Sequence, residues 1–213
     1  LISCPGGQPP RSAFGQIFSR QLSLMLELGI LNCEITDIAL QRLQDAVIDC
    51  DIISNPEGDV ASLALNMLEN PIAILGPDEL SPVINRFKNQ LNENSARFAR
   101  TGLFPEMNHN ESVAWGGVGD DQDPDSENQA LILISWDRMH PRVIQRMDWF
   151  VSNCPTELAW RIQGDGESLV ECLLHVCIMT DWLSIALALL HGKNPSTIEP
   201  IHSLKEYLAQ INQ

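Results

Sequence analysis

Ile72-Ala73-Ile74-Leu75-Gly76-Pro77 is a continuous apolar run that stops on glycine and proline. A strand with one wet face would alternate apolar and polar residues. A run with no polar position reads as a strand buried on both faces, as in a parallel sheet whose crossovers are helices. The glycine then marks a loop at its carboxyl end. Ala130-Leu131-Ile132-Leu133-Ile134-Ser135 repeats the pattern. Residues 156–162 read as a third strand, with Leu158, Trp160 and Ile162 alternating.

Between and around these runs the apolar spacing is helical. Phe14, Ile17, Phe18, Leu22, Met25 and Leu28 form one stripe, with Ser12 as the expected N-cap and Gly29 as the stop. Further helices are expected over 36–50, 61–68, 80–92, from His140-Pro141 to about 153, over 168–190, and from Pro200 to 211. Asn55-Pro56-Glu57-Gly58-Asp59 and Gly164-Asp165-Gly166 are turns. Strands alternating with helices give an α/β fold, an open parallel-sheet three-layer sandwich with additional N- and C-terminal helices. Residues 1–50 form a linker and N-terminal helices, and residues 51–213 form the sheet domain. Sites in such sheets gather at the carboxyl ends of strands.

The 213 residues carry a net charge of -15, and 44% of them are hydrophobic. Nucleic acid is excluded as a partner, because phosphate contacts need a basic face and no Lys/Arg cluster occurs. A local cationic pocket for a small anion remains possible in an acidic protein. Cys4, Cys33, Cys50, Cys154, Cys172 and Cys177 show neither C-x-x-C nor a zinc spacing, and read as reduced thiols of a cytoplasmic protein. The start Leu1-Ile2-Ser3-Cys4 does not read as a signal peptide and opens in what reads as linker, so the chain is expected to be a piece of a longer one. Leu169 to Leu190 is apolar but carries Glu171, His175 and Asp181, so a buried amphipathic helix is expected rather than a membrane span.

The chemistry concentrates between Asn89 and Trp115. Asn92-Glu93-Asn94 and Asn108-His109-Asn110 each set a titratable group between two amides, which can orient it without neutralising it. This reads as a proton-transfer site, with Glu93 and His109 as the acid/base pair. Other candidates read more simply. Cys172, His175 and Cys177 lie on adjacent turns of an apolar helix and read as core. Asp121-x-Asp123-x-Asp125 starts like a calcium loop, but Ser126 and Ile132 stand where Gly and Glu are required. Gly164-Asp165-Gly166-Glu167-Ser168 carries two acids, which oppose phosphate binding, and reads as a turn before a helix start.

The run Arg86-Phe87-Lys88-Asn89-Gln90-Leu91-Asn92-Glu93-Asn94, followed by Pro105-Glu106-Met107-Asn108-His109-Asn110-Glu111, resembles the bifunctional phosphoglucose/phosphomannose isomerases of the sugar isomerase (SIS) superfamily. Gln8-Pro9-Pro10-Arg11-Ser12-Ala13, Asp137 to Arg142, Gly164 to Leu169, and Asn194 to Lys205 agree in the same order. The resemblance covers what looks like the C-terminal half of a two-domain subunit with a SIS-like, flavodoxin-like sheet. It implies interconversion of glucose or mannose 6-phosphate with fructose 6-phosphate through a cis-enediolate. Glu93 would then move the proton between C1 and C2. His109, reaching in from the neighbouring subunit of a homodimer, would assist ring opening. Lys205 would act at the substrate oxygens, and Arg11 would stabilise the enediolate charge. No cofactor and no metal is implied, and neither nucleic acid nor membrane is a partner.

This chain departs from the family where Ser95-Ala96 replace the usual Ala-Lys, with Arg97 following. The family's Ser/Thr-rich phosphate loops belong mostly to the other half, so this piece alone is expected to be weakly active or inactive. A non-catalytic phosphosugar-binding regulatory SIS domain is the alternative; it would have no need of a proton-transfer base.

Overall fold

The computed structural model describes all residues except 1, 2, 4, 5, 34, 212 and 213. Cys4 and the start of the expected linker lie outside the described residues. The chain divides into two compact units, Leu1–Leu40 and Gln41–Gln213.

In the first unit, α1 spans Phe14–Glu27 and buries no residue. Its N-cap is Ala13, which makes no side-chain cap bond. The expected cap, Ser12, sits instead in a preceding turn, its N–H bonded to the Pro9 carbonyl at 3.0 Å. Gly29 ends the helix as expected. It adopts φ +66°, and the next N–H, of Ile30, returns to the Met25 carbonyl at 2.9 Å. That left-handed turn costs glycine little. The helix α2 (Asp37–Cys50) begins where the Thr36 hydroxyl accepts the Ala39 N–H at 3.1 Å.

The second unit is built on a four-stranded, all-parallel sheet of β1 (Ile72–Pro77), β2 (Ala99–Phe104), β3 (Ala130–Trp136) and β4 (Ala159–Gly164). The order is β2-β1-β3-β4. Ile72 pairs with Ala99 on one side and Ala130 on the other, and Leu131 pairs with Ala159. Every residue of β1 and β3 is buried, which is why both runs lack a polar alternation. Each of their fully buried Ile and Leu side chains stabilises the fold by roughly 1.5–3 kcal/mol, so the two central strands dominate the sheet. At Gly76 a Cβ would stand 2.8 Å from the Ile134 carbonyl oxygen, so β3 and the helix after β1 can close on that position only around glycine.

Two strands depart from expectation. β2 falls in a stretch read as a link, because only Gly102 and Phe104 of it are buried and an edge strand shows little apolar pattern. β4 starts at Ala159 rather than 156. The Thr156 hydroxyl is spent on a turn, donating to the Gln129 carbonyl at 2.8 Å and accepting the Leu158 N–H at 3.1 Å.

The remaining helices are α3 (Asp59–Asn66), α4 (Ser81–Gln90), α5 (Glu111–Trp115), α6 (Pro141–Asn153), α7 (Leu169–Leu190) and α8 (Glu199–Ile211). The crossovers β1→β2 and β3→β4 run in opposite directions along the sheet. Right-handed connections therefore put α4 and α6 on opposite faces. α7 packs against α3 and α4. On the other face Phe150 of α6 meets Phe104 and Trp115 edge-on, with centroids 5.8 and 5.5 Å apart. α7 is long and apolar enough, by length and composition, to cross a bilayer. It is not the amphipathic helix expected, being apolar nearly all round. Here it is a core helix, with Cys172, Val176, Leu183 and Leu187 buried.

Candidate functional site

The sheet geometry decides where each candidate stands. α4 carries the chain back from the carboxyl edge of β1 to the amino edge of β2, and at that amino edge the helix widens. Leu91–Ser95 is a π turn, and Glu93 lies in its middle, half-buried. The Leu91 carbonyl accepts the Ala96 N–H, the Arg97 N–H at 3.1 Å and the Ser95 hydroxyl at 2.7 Å. Ala96 then leaves at φ 54°, a conformation unusual for a residue with a Cβ. π turns are rare and recur at functional sites, because the extra residue re-aims the side chains around it.

The turn is held from α7. Down the seam between α4 and α7, Arg86 meets Asp181 at 2.6 Å, and Gln90 donates to the same carboxylate at 2.8 Å. One turn further, the Asn94 amide donates to the Ser184 hydroxyl at 2.8 Å. Burial pushes the Asp181 carboxyl above its ordinary range, against the opposing pull of Arg86. Beyond the end of α7, the Lys193 ammonium donates to the carbonyls of Glu93 and Asn94, each at 3.0 Å. Arg97, which follows the Ser95-Ala96 departure from the family pattern, donates to the carbonyls of Leu68 and Asn70 and lies 2.6 Å from His191 Nε2. It fastens the start of β2 to the loop before β1. Neither Lys193 nor Arg97 was singled out by the sequence reading as holding the Glu93 turn. The signal for Lys193 was its place just after Gly192, where a cation commonly meets helix carbonyls.

His109 belongs to the opposite edge. It ends a 3-10 turn over Glu106–His109, five residues past the end of β2, and is exposed. The next residue, Asn110, caps α5 by accepting the Glu111 N–H at 2.6 Å. Arg100 pairs with Glu111 and lies 5.0 Å over the Trp115 ring, joining β2 to α5. Glu93 and His109 are thus separated by the length of β2, roughly 20 Å at 3.3 Å per residue. Lys205 is exposed on α8, a helix that buries none of its residues. Arg11 is half-buried in the turn before α1, in the first unit.

Two concavities lie toward the carboxyl edge. One, of about 610 Å³, is lined by Asp78, Asn85, Thr101, Glu106, Asn110 and Glu111 among others, and its acids disfavour an anion. The other, of about 570 Å³, runs between α5 and α6 along Asn108, Ser112, Arg142, Gln145, Arg146 and Trp149.

Burial pushes the Cys172 and Cys177 thiols up to about 12, so both are inert protonated core groups. Among the described residues no cluster of three or more His, Cys, Asp or Glu side chains could hold a metal ion. The Ser168 hydroxyl caps α7 by accepting the Glu171 N–H at 3.2 Å. Glu171, buried, pairs with Arg42 at 2.8 Å and accepts the Glu167 N–H at 2.8 Å. The Gly164–Ser168 segment is therefore a capped turn.

Comparison with known proteins adds to this geometry. The family model for the bacterial phospho-glucose isomerase C-terminal SIS domain matches residues 57–208. A bifunctional phosphoglucose/phosphomannose isomerase of Aquifex aeolicus is 28% identical over 98% of this chain and 61% of its own length. One of Caldicellulosiruptor bescii is 28% identical over 99% of this chain and 63% of its own length. The chain therefore spans about three fifths of the curated relatives it matches. The crystal structure of a glucose-6-phosphate isomerase like protein from Thermus thermophilus superposes with a TM-score of 0.59 at 14% identity, over 82% of this chain and 58% of that one. That likeness is one of fold.

Proposed function

The chain belongs to the bacterial phospho-glucose isomerase C-terminal SIS domain family, and on that premise we propose that it is the acid/base half of an aldose–ketose isomerase acting on hexose 6-phosphates. The substrates are glucose or mannose 6-phosphate and fructose 6-phosphate. The observation that carries this reading is the π turn at Glu93. A solvated carboxylate at a helix end needs no such turn, whereas a base must be held to a fraction of an ångström.

The chemistry follows from the residue types. Glu93 takes the proton from C2 of the open-chain aldose, leaving an enediolate, and returns it to C1 of the ketose on the same face. C1 is reduced as C2 is oxidised, one proton passing from C2 to C1 and another from the C2 oxygen to the C1 oxygen, so no external oxidant or reductant enters. Arg11 opposes the charge developing on the enediolate oxygen, as a guanidinium can without titrating. Lys205 serves the substrate oxygens, and His109 opens the ring.

His109 acts in the active site of a second subunit, so the working form is a homodimer with shared sites. The separation of Glu93 and His109 by the length of β2 supports this, since one six-carbon substrate cannot touch both within one chain. The phosphate is held mostly by the half of the subunit outside this chain, and of the two carboxyl-edge cavities the one lined by Asp78, Glu106 and Glu111 repels a dianion. The protein acts in the cytoplasm.

The test is Glu93→Gln in the complete protein, which keeps the shape and removes the base. Turnover of fructose 6-phosphate should fall about 10²–10⁴-fold, the usual weight of a general base, with an unchanged melting temperature. Near-normal turnover would reject the assignment.

A further inference from the structure

The residue that most directly fixes the Glu93 backbone is Lys193. α7 ends at Gly192, φ +67°, in a motif where the Lys193 N–H returns to the Ala188 carbonyl at 2.8 Å and the Gly192 N–H to Leu189 at 2.9 Å. This closing motif fixes the Lys193 backbone, and its half-buried side chain crosses to the end of the neighbouring helix. Its ammonium stands 3.0 Å from the carbonyls of both Glu93 and Asn94, 3.2 Å from that of Thr197 and 3.4 Å from that of Asn194. No carboxylate pairs with it among the described residues. All four acceptors are backbone oxygens.

The four carbonyls belong to two segments. Glu93 and Asn94 close the α4–π helix, where carbonyls lack intrahelical partners and carry the negative end of the helix dipole. Asn194 and Thr197 form the short loop into α8. One charge thus holds the backbone at Glu93 and the root of the helix that carries Lys205. An apolar side chain could fill the space but bind neither set of carbonyls, and a neutral amide has two donors and no charge where the ammonium has three donors and a charge that opposes the helix dipole.

We propose that Lys193 is a positioning residue for proton transfer: by clamping the Glu93 turn to the start of α8, it sets the Glu93 carboxylate in register with Lys205. The proposal rests on Glu93 and Lys205 acting in the isomerase reaction. Lys193 itself touches no substrate. Its loss should therefore cost turnover and the fidelity of proton return rather than substrate binding.

The experiment compares Lys193→Met, which keeps the chain length and removes every donor, with Lys193→Gln and Lys193→Arg in the complete protein. Lys193→Met should lower kcat for fructose 6-phosphate about 10- to 100-fold, the effect of misplacing a reacting group by roughly an ångström. KM should stay within about threefold of wild type, because uniform binding is untouched. In deuterium oxide, more of its product should carry solvent deuterium, since a loosened base exchanges its proton before returning it. Lys193→Arg should recover most of the turnover. A folded Lys193→Met with wild-type kcat and deuterium content overturns the proposal. If that variant does not fold, Lys193→Gln decides: a loss of kcat at constant KM supports the proposal, and wild-type kinetics refute it. Glu93→Gln, run alongside, separates the two claims. If it keeps turnover, the base assignment itself has failed. If it abolishes turnover while Lys193→Met is unaffected, only the clamp has failed.

Discussion

His175 shows how one side chain in α7 carries a pH dependence with no catalytic purpose. It is half-buried, and its Nδ1 accepts the Asp165 N–H at 3.4 Å, a role open only to the neutral imidazole. Desolvation is the largest influence and lowers its pKa below the ordinary 6.5, while Asp165 and Glu171 pull the other way. The sign follows. Between the depressed folded value and 6.5 the unfolded chain binds the proton that the folded chain refuses. Its stabilising contribution is therefore present above 6.5 and is lost as the pH falls toward the folded value. His175→Gln keeps an acceptor for the Asp165 N–H and cannot titrate. Thermal melts between pH 7.5 and 5.5 should show the wild type losing more stability on acidification than this variant. Parallel curves would show that His175 contributes nothing to the slope.

At the scale of elements, the α4–α7 seam is what brings the Glu93 turn to a fixed place. Arg86, Gln90 and Asn94 recur every four residues, so one stripe of α4 and its π extension faces Asp181 and Ser184. The Arg86–Asp181 pair is mostly buried, with side-chain exposures of 16% and 30%. Arg86→Met would strand a desolvated carboxylate. Removing one partner of a fully buried pair costs 3–5 kcal/mol, and the residual solvent at Asp181 lowers the expectation here to about 2 kcal/mol. Urea denaturation measures it. Arg86→Met/Asp181→Leu should recover part of the loss, and a double variant no more stable than the single one would show that no stranded charge was involved. The stripe also marks what the sequence could and could not disclose. β1 and β3 were legible because strands buried on both faces are apolar without interruption. β2 was not, because Ala99, Arg100 and Thr101 answer to an edge position rather than to a core. The π turn left no trace in Leu91-Asn92-Glu93-Asn94-Ser95, since widening a helix by one residue needs no special composition. The site suffered most from the missed strand. Glu93 and His109 were recognisable as titratable groups flanked by amides, but on one irregular segment they read as neighbours. With β2 between them they are at opposite edges of a sheet.

For the whole molecule, that separation becomes a statement about assembly. If each active site takes Glu93 from one subunit and His109 from the other, two different inactive variants can repair each other. In a mixed dimer of Glu93→Gln and His109→Asn subunits, one site inherits both substitutions and the other inherits neither. Random reassortment of equal amounts makes half of the dimers mixed, each with one intact site. Recovered turnover should therefore approach about a quarter of the wild-type value. The measurement is fructose 6-phosphate turnover after the two variants of the complete protein are co-unfolded and refolded together, with each variant refolded alone as control. A chain that held Glu93 and His109 in one site would give only the sum of two damaged enzymes. The exposure of His109, beyond a sheet edge in an otherwise well-packed unit, is what the shared-site arrangement requires of it: an imidazole that serves a partner must first leave its own core.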